Sequence, residues 1–169
     1  MGCSPEISPK TATNADIGVR IATFLDANHV MSLATYGPQG PHAASLFYVR
    51  DGFALLWVSD PNSQHSLDLT ANHRVAATVA PDCRDFNEVC GAQICGDADR
   101  VRDPSDCHHA RALLATRYAF LKRLSDAPPA VKQAYESAEL YRLDPRRIVL
   151  IDNKQGFGHK DILDLKPLD

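Results

Sequence analysis

Apolar positions along this chain fall mostly into short alternating runs, broken by Gly, Pro, Asn and Asp. Helical spacing is confined to a few stretches. Ile17, Ile21, Phe24 and Leu25 recur at that spacing behind the capping candidates Thr13 and Asn14, which predicts a helix from about Asp16 to Ala27. Val30 to Thr35 reads as a strand, stopped by the turn Gly37-Pro38-Gln39-Gly40-Pro41. His42 to Val49 is a second strand, Asp51-Gly52 a hairpin turn, and Phe53 to Val58 a third strand. A polar turn and a short helix from about Ser63 to Ala71 lead into a fourth strand, Val75 to Val79. Val89 to Val101 alternates around Gly91 and Gly96, the pattern of a bent or bulged strand.

Asp103-Pro104 opens a long helix, with Asp103 as cap and Pro104 at its first position. Ala110, Leu113, Leu114, Ala115, Tyr118 and Leu121 form its apolar face. A break over Ser125 to Pro129 precedes a short helix around Val131 to Ser137. Glu139 to Leu143 and Arg147 to Ile151 read as two closing strands on either side of Asp144-Pro145, and a turn-rich tail follows. Six or seven strands in hairpin succession with few helices predict a mainly β fold, an antiparallel barrel with peripheral helices. The expected organisation is one domain over residues 16–169 behind a disordered leader over 1–15.

Composition narrows the function. At 169 residues, 44% hydrophobic and 23% charged, the chain has the make-up of a soluble globular domain. A net charge of −3 gives no electrostatic case for nucleic acid. No apolar run approaches the roughly 18 residues of a membrane-spanning helix. The start MGCSPEISPKTATNAD lacks the basic and apolar regions of a secretory signal, so a cytoplasmic setting is expected. The five cysteines, Cys3, Cys83, Cys90, Cys95 and Cys107, are an odd number without a zinc-type spacing, consistent with reduced thiols. Cys107-His108-His109 has ligand chemistry, but neighbours on a helix point about 100° apart, so no metal site is expected there.

The richest chemistry lies in WVSDPNSQHSLDLTANHRVAATV, from Trp57 to Val79. Ser59, Asn62, Ser63, Gln64 and His65 gather at a strand end and helix start. A helix N-terminus exposes unpaired N–H groups and partial positive charge, so it is a natural seat for an anion. The serine hydroxyls add donors, and His65 adds a cation or a further donor. The residue types equally describe an ordinary cap, with Asn62 or Ser63 satisfying the first turn. A GxGxxG turn, a Walker phosphate loop, a GxSxG elbow and an HExxH pair are all missing.

Three further segments carry a family resemblance: FLDANHVMSLAT near the start, CGAQICGDADRV in the fifth strand and IDNKQGFGHK near the end. With the Ser59–His65 region they resemble the FMN-binding split barrel of the pyridoxamine 5′-phosphate oxidase-like superfamily, and within it the YhbP-like group. In that superfamily the turn after the third strand grips the FMN phosphate with Thr and, after three residues, Ser-Arg-Lys. This chain places Ser59 before Ser63-Gln64-His65 at the same spacing, so a neutral amide and a titratable ring replace two permanent cations.

The resemblance implies FMN as cofactor. Ala44, Ser45 and Leu46 would lie along the flavin ring, Val58 and Ser59 would flank it, and Gln93 would reach the cofactor region. Bare alternation also accounts for Ser45 and Gln93 as strand residues. The resemblance further implies a homodimer with two sites at its interface. Phe157, His159 and Lys160 of the GFGHK tail would cover a bound ring or merely anchor the tail. The leading expectation is a flavin-dependent oxidoreductase acting on a small-molecule substrate or electron donor. The flavin would supply the redox chemistry; His42, His65 and Tyr48 are candidate proton donors, with a structural or cofactor-contacting role as the leading reading of each. The alternative is a non-enzymatic module that binds or stores flavin, haem or another planar ligand. The tail lacks the Arg and His substrate motif of true pyridoxamine phosphate oxidases.

Overall fold

The computed structural model describes residues 13–166. Helix α1 runs Asn14–Ala27, two residues longer at its start than the pattern predicts. Thr13 and Asp16 close a reciprocal capping box there, so residues 13–15 belong to the helix start rather than to a leader. The rest of the expected leader, residues 1–12, lies outside the described residues.

Strand β1 (Val30–Gly37) and strand β2 (Gly40–Phe47) form a hairpin, with Gly40 at φ 98° in its turn. Tyr48 ends β2. Strand β3 (Val49–Asp51) then pairs with β4 (Ala54–Ser59) across Gly52 at φ 60°. Helix α2 (Gln64–Ala71), strand β5 (Arg74–Val79) and strand β6 (Cys90–Arg100) follow, then helix α3 (Pro104–Arg117). Beyond Arg117 the chain tightens into a 3₁₀ segment, Ala119–Asp126, so Tyr118 and Leu121 lie past the helix whose face they were expected to share. Helix α4 spans Pro129–Ser137.

The two closing strands are one: β7 runs Glu139–Asp152 straight through Asp144-Pro145. Pro145 has no N–H to donate, and the ladder absorbs this with a register shift between Cys95 and Gly96 of β6. A Cβ on Gly96 would sit 2.3 Å from the Asp144 carbonyl oxygen, so only glycine allows the approach. The first half of β7 pairs with β4, and the second half with β8 (Lys160–Asp164), a strand hidden in the turn-rich tail.

The eight described strands form one antiparallel sheet in the order β2-β1-β5-β6-β7-β4-β3, with β8 beside β7. The sheet curls, and its interior holds Leu33, Trp57, Ile94, Leu143 and Ile148 under Ile21 and Leu25 of α1. Strand β4 is buried on both faces. Leu55 and Trp57 enter the interior, while Leu56 packs outside against Ala110 and Leu114 of α3, which explains its unbroken apolar run. Burying one such leucine contributes about 1.5–3 kcal/mol.

Two features position the site. First, β2 pairs only with β1, so one edge of its backbone is unpaired where it approaches β4 across the open seam of the barrel. Second, the outward face of β2, β1, β5 and β6 carries small side chains. The register sets Ser45, Ser32, Thr78 and Gln93 in one exposed row beside Ala43, Ala34 and Ala76.

Candidate functional site at the start of the second helix

Strand β4 ends at Ser59 and α2 begins at Gln64, so the intervening turn brings both elements to the seam. Ser63 occupies the N-cap position, yet its hydroxyl makes no capping bond. It donates to Ser66 Oγ at 2.9 Å and lies 3.1 Å from His65 Nε2. Asn62 is no cap either: its backbone N–H and its side chain both donate to Asp60 Oδ1. The ordinary-cap reading of this turn therefore fails, because both candidate side chains are committed elsewhere.

Ser59 Oγ is 2.7 Å from His65 Nε2 and 3.3 Å from Ser63 Oγ. Two hydroxyls thus converge on one ring nitrogen. His65 is 6% exposed. Its ring stacks on that of His42, centroids 6.3 Å apart and planes within 5°. Burial first, and then the His42 ring, lower the His65 pKa from the usual imidazole value, against a smaller upward pull from Asp68. At neutral pH the free site therefore holds a neutral ring, a donor or acceptor rather than the cation that the residue type allows.

Gln64 turns its amide to Asp68, donating to Oδ1 at 2.7 Å, and Thr35 of β1 donates to Oδ2 at 2.7 Å. Asp68 is buried, and it fits because residue 37 is glycine: a Cβ there would meet Asp68 Oδ1 at 2.1 Å. This buried carboxylate fixes the first turn of α2 against the β1–β2 hairpin.

Of the expected site residues, the structure gathers Ser59, Ser63, Gln64 and His65 in one cluster. Ala44 and Leu46 lie half-buried on the inward face of the neighbouring β2, opposite Leu33 and Met31. Val58 packs into the α3 cluster instead. Ser45 and Gln93 share a row on the outward sheet face, with β1 and β5 between their strands. Thr35, Ser66 and Asp68 join the cluster without having been expected, and His42 stacks its ring on that of His65. Strand alternation puts His42 on the face of Ala44, two residues earlier.

Tyr48 is a tie rather than an acid. Fully buried, it donates to the Leu25 carbonyl at 2.7 Å, and burial pushes its phenol far up. Within the GFGHK tail His159 is tied to the barrel, while Phe157 is left exposed. His159 Nε2 lies 3.2 Å from buried Asp161, which Arg20 of α1 meets at 2.6 Å. Gly156 and Gly158 take positive φ, 142° and 72°, around Phe157, which is 87% exposed. Cys107 donates to the Val101 carbonyl while His109 faces Asp51, so these neighbours look different ways.

This arrangement has relatives. The sequence signature of pyridoxamine 5′-phosphate oxidase matches residues 18–159. The chain belongs to that family. The UPF0306 protein of Yersinia pseudotuberculosis is 30% identical over 149 residues, covering 87% of this chain and 92% of the relative. Among solved structures, a conserved hypothetical protein from Mycobacterium tuberculosis superposes with a TM-score of 0.68 at 23% identity, over 92% of this chain and 95% of that one. A haem-binding protein from Mycobacterium smegmatis gives 0.69 at 19% identity, over 92% of this chain and 59% of that one. At these identities the structural matches speak to the fold, a split barrel with peripheral helices. Among the described residues, no helix is long and apolar enough to cross a membrane.

Proposed function

We propose that this chain is an FMN-binding protein that acts as a flavin-dependent oxidoreductase. The observation that carries the reading is the uncapped start of α2. Its N-cap hydroxyl, a second serine and a buried imidazole converge there, beside the unpaired edge of β2. The donor set fits a phosphate, and the strand edge fits the polar rim of a flat ring. It lacks the Arg and Lys of the superfamily pattern, so the seat relies on neutral donors that are individually weaker.

When bound, the flavin would supply hydride or electron transfer. Ser59, Ser63 and His65 would hold the phosphate. The backbone of Ala44 to Leu46 would orient the ring, and Leu55 and Trp57 on the interior face of β4 fill the barrel side. Ser45 and Gln93 face outward, so they would meet a ligand or a second copy lying on the small-residue face of the sheet. A homodimer formed through that face would bring two seams together and present each site to a small-molecule substrate or electron donor. A cytoplasmic setting accords with this chemistry.

The haem-binding name of one structural neighbour favours a second reading, a non-catalytic module that holds haem in place of flavin. The absorption spectrum of the purified protein, followed by titration of FMN into the apo form, separates them. Flavin bands or saturable FMN binding support the first reading. A Soret band with no response to FMN supports the second.

A further inference from the structure

The seat is built from imidazoles where a phosphate site ordinarily carries fixed cations, and this bears on how a ligand is held. We propose that it takes a phosphate monoester dianion together with one proton on the His42–His65 pair, so that ligand retention is set by pH. The inference rests on the phosphate reading of this turn given above.

The geometry supports proton coupling in three ways. The two rings are parallel, and His65 is 94% removed from solvent, so one positive charge on the pair is costly while the seat is empty. Nε2 of His65 already faces Ser59 and Ser63, so a phosphate reaching those hydroxyls would also reach the ring. Two protons on parallel rings would repel, which limits the pair to one.

Among the described residues, the charged groups that act on His65 are the His42 ring and Asp68, with no Lys or Arg beside them. From its own helix, His65 feels Asp68, whose oxygens are taken by Thr35 and Gln64. Strand β1 presents Thr35, and β2 presents His42. A cavity of about 420 Å³ that shares Pro61 and Ser66 with this turn is lined by the charged or titratable groups His73, Asp99, Arg100 and Arg102. There Arg100 is held by Glu139 at 2.5 Å and His73 lies 3.6 Å from Asp99. In the turn, Asp60 is occupied by Asn62. A dianion therefore raises the proton affinity of the pair, and by linkage the proton raises affinity for the dianion.

Calorimetric titration of the full chain with FMN, in buffers of different ionisation enthalpy, counts the protons. Riboflavin, which lacks the phosphate, is the control. The working range is about pH 7.5 to 8.5, where the free phosphate, with a second pKa near 6, is already dianionic. Uptake of one proton with FMN and none with riboflavin is expected, and the FMN Kd should rise about tenfold per pH unit. His65→Lys, which installs a permanent cation, should bind FMN with no proton uptake and a flat pH profile. FMN binding by the wild-type chain with no proton uptake and a constant Kd overturns the inference and leaves the flavin reading standing. No FMN binding at any pH from about 5.5 to 8.5, a range spanning the imidazole titration, overturns both.

Discussion

Helices α2 and α3 both begin after a strand with a side chain of capping type, and they use it in opposite ways. At α3, Asp103 accepts from the backbone N–H groups of Ser105 and Asp106, and Pro104 takes the position that needs no donor. The Ser105 hydroxyl and those N–H groups also hold the Asp103 carboxyl below its usual range. That start is closed. At α2, Ser63 sits in the same place with its hydroxyl turned away to Ser66 and His65, and no side chain caps the first turn. A helix end satisfied from within serves the fold alone. One left open at a seam, with hydroxyls and an imidazole already gathered, can serve a ligand at small cost to the fold.

The contrast can be broken where the open start is held in place. Asp68→Ala removes the buried carboxylate that ties Thr35 and Gln64 together, leaving both unpaired. A loss of about 2–4 kcal/mol is expected from denaturant unfolding, together with weaker FMN binding. A change within error would mean that the first turn of α2 is fixed by something else.

Much of this was legible in the sequence, and the exceptions have physical causes. Period-two alternation marks β1, β2, β5 and β6 because one face of each is buried and the other bare. Strand β7 was read as two because a proline inside a strand normally ends it. Its survival depends on the bulge opposite and on Gly96, a pairing that no local pattern reveals. The end of α3 was overshot because Tyr118 and Leu121 do pack with its buried face, but from a tighter turn. At the site, Ser59, Ser63, Gln64 and His65 were readable as one turn. Asp68 carries no local signal of its role, since its partner Thr35 is 33 positions away. The loss of His65's charge depends on burial and on His42, which only the fold brings together.

Two smaller perturbations sharpen the comparison. Asp103→Ala should lower the thermal midpoint and leave FMN affinity untouched, whereas Ser63→Ala should barely move the midpoint and weaken FMN. Equal midpoint losses would mean that Ser63 caps after all. The smallest effect is on stability against pH without ligand. His65 binds its proton less readily when folded, so its contribution is complete above the ordinary imidazole pKa of about 6.5 and declines as pH falls below it. Unfolding midpoints compared near pH 7.5 and 5.5 should drop more for the wild-type chain than for His65→Gln. An identical drop would assign the dependence to other groups.

The central claim is that the open start of α2 is a phosphate seat. The most direct measurement is the affinity of the double variant Ser63→Ala/His65→Ala for FMN and for riboflavin, beside the wild-type chain. Loss of the charge-assisted and hydroxyl contacts should weaken FMN by about tenfold or more, leaving riboflavin and the folded spectrum unchanged. Equal FMN affinity in a folded double variant would contradict the assignment and place the ligand elsewhere on the barrel.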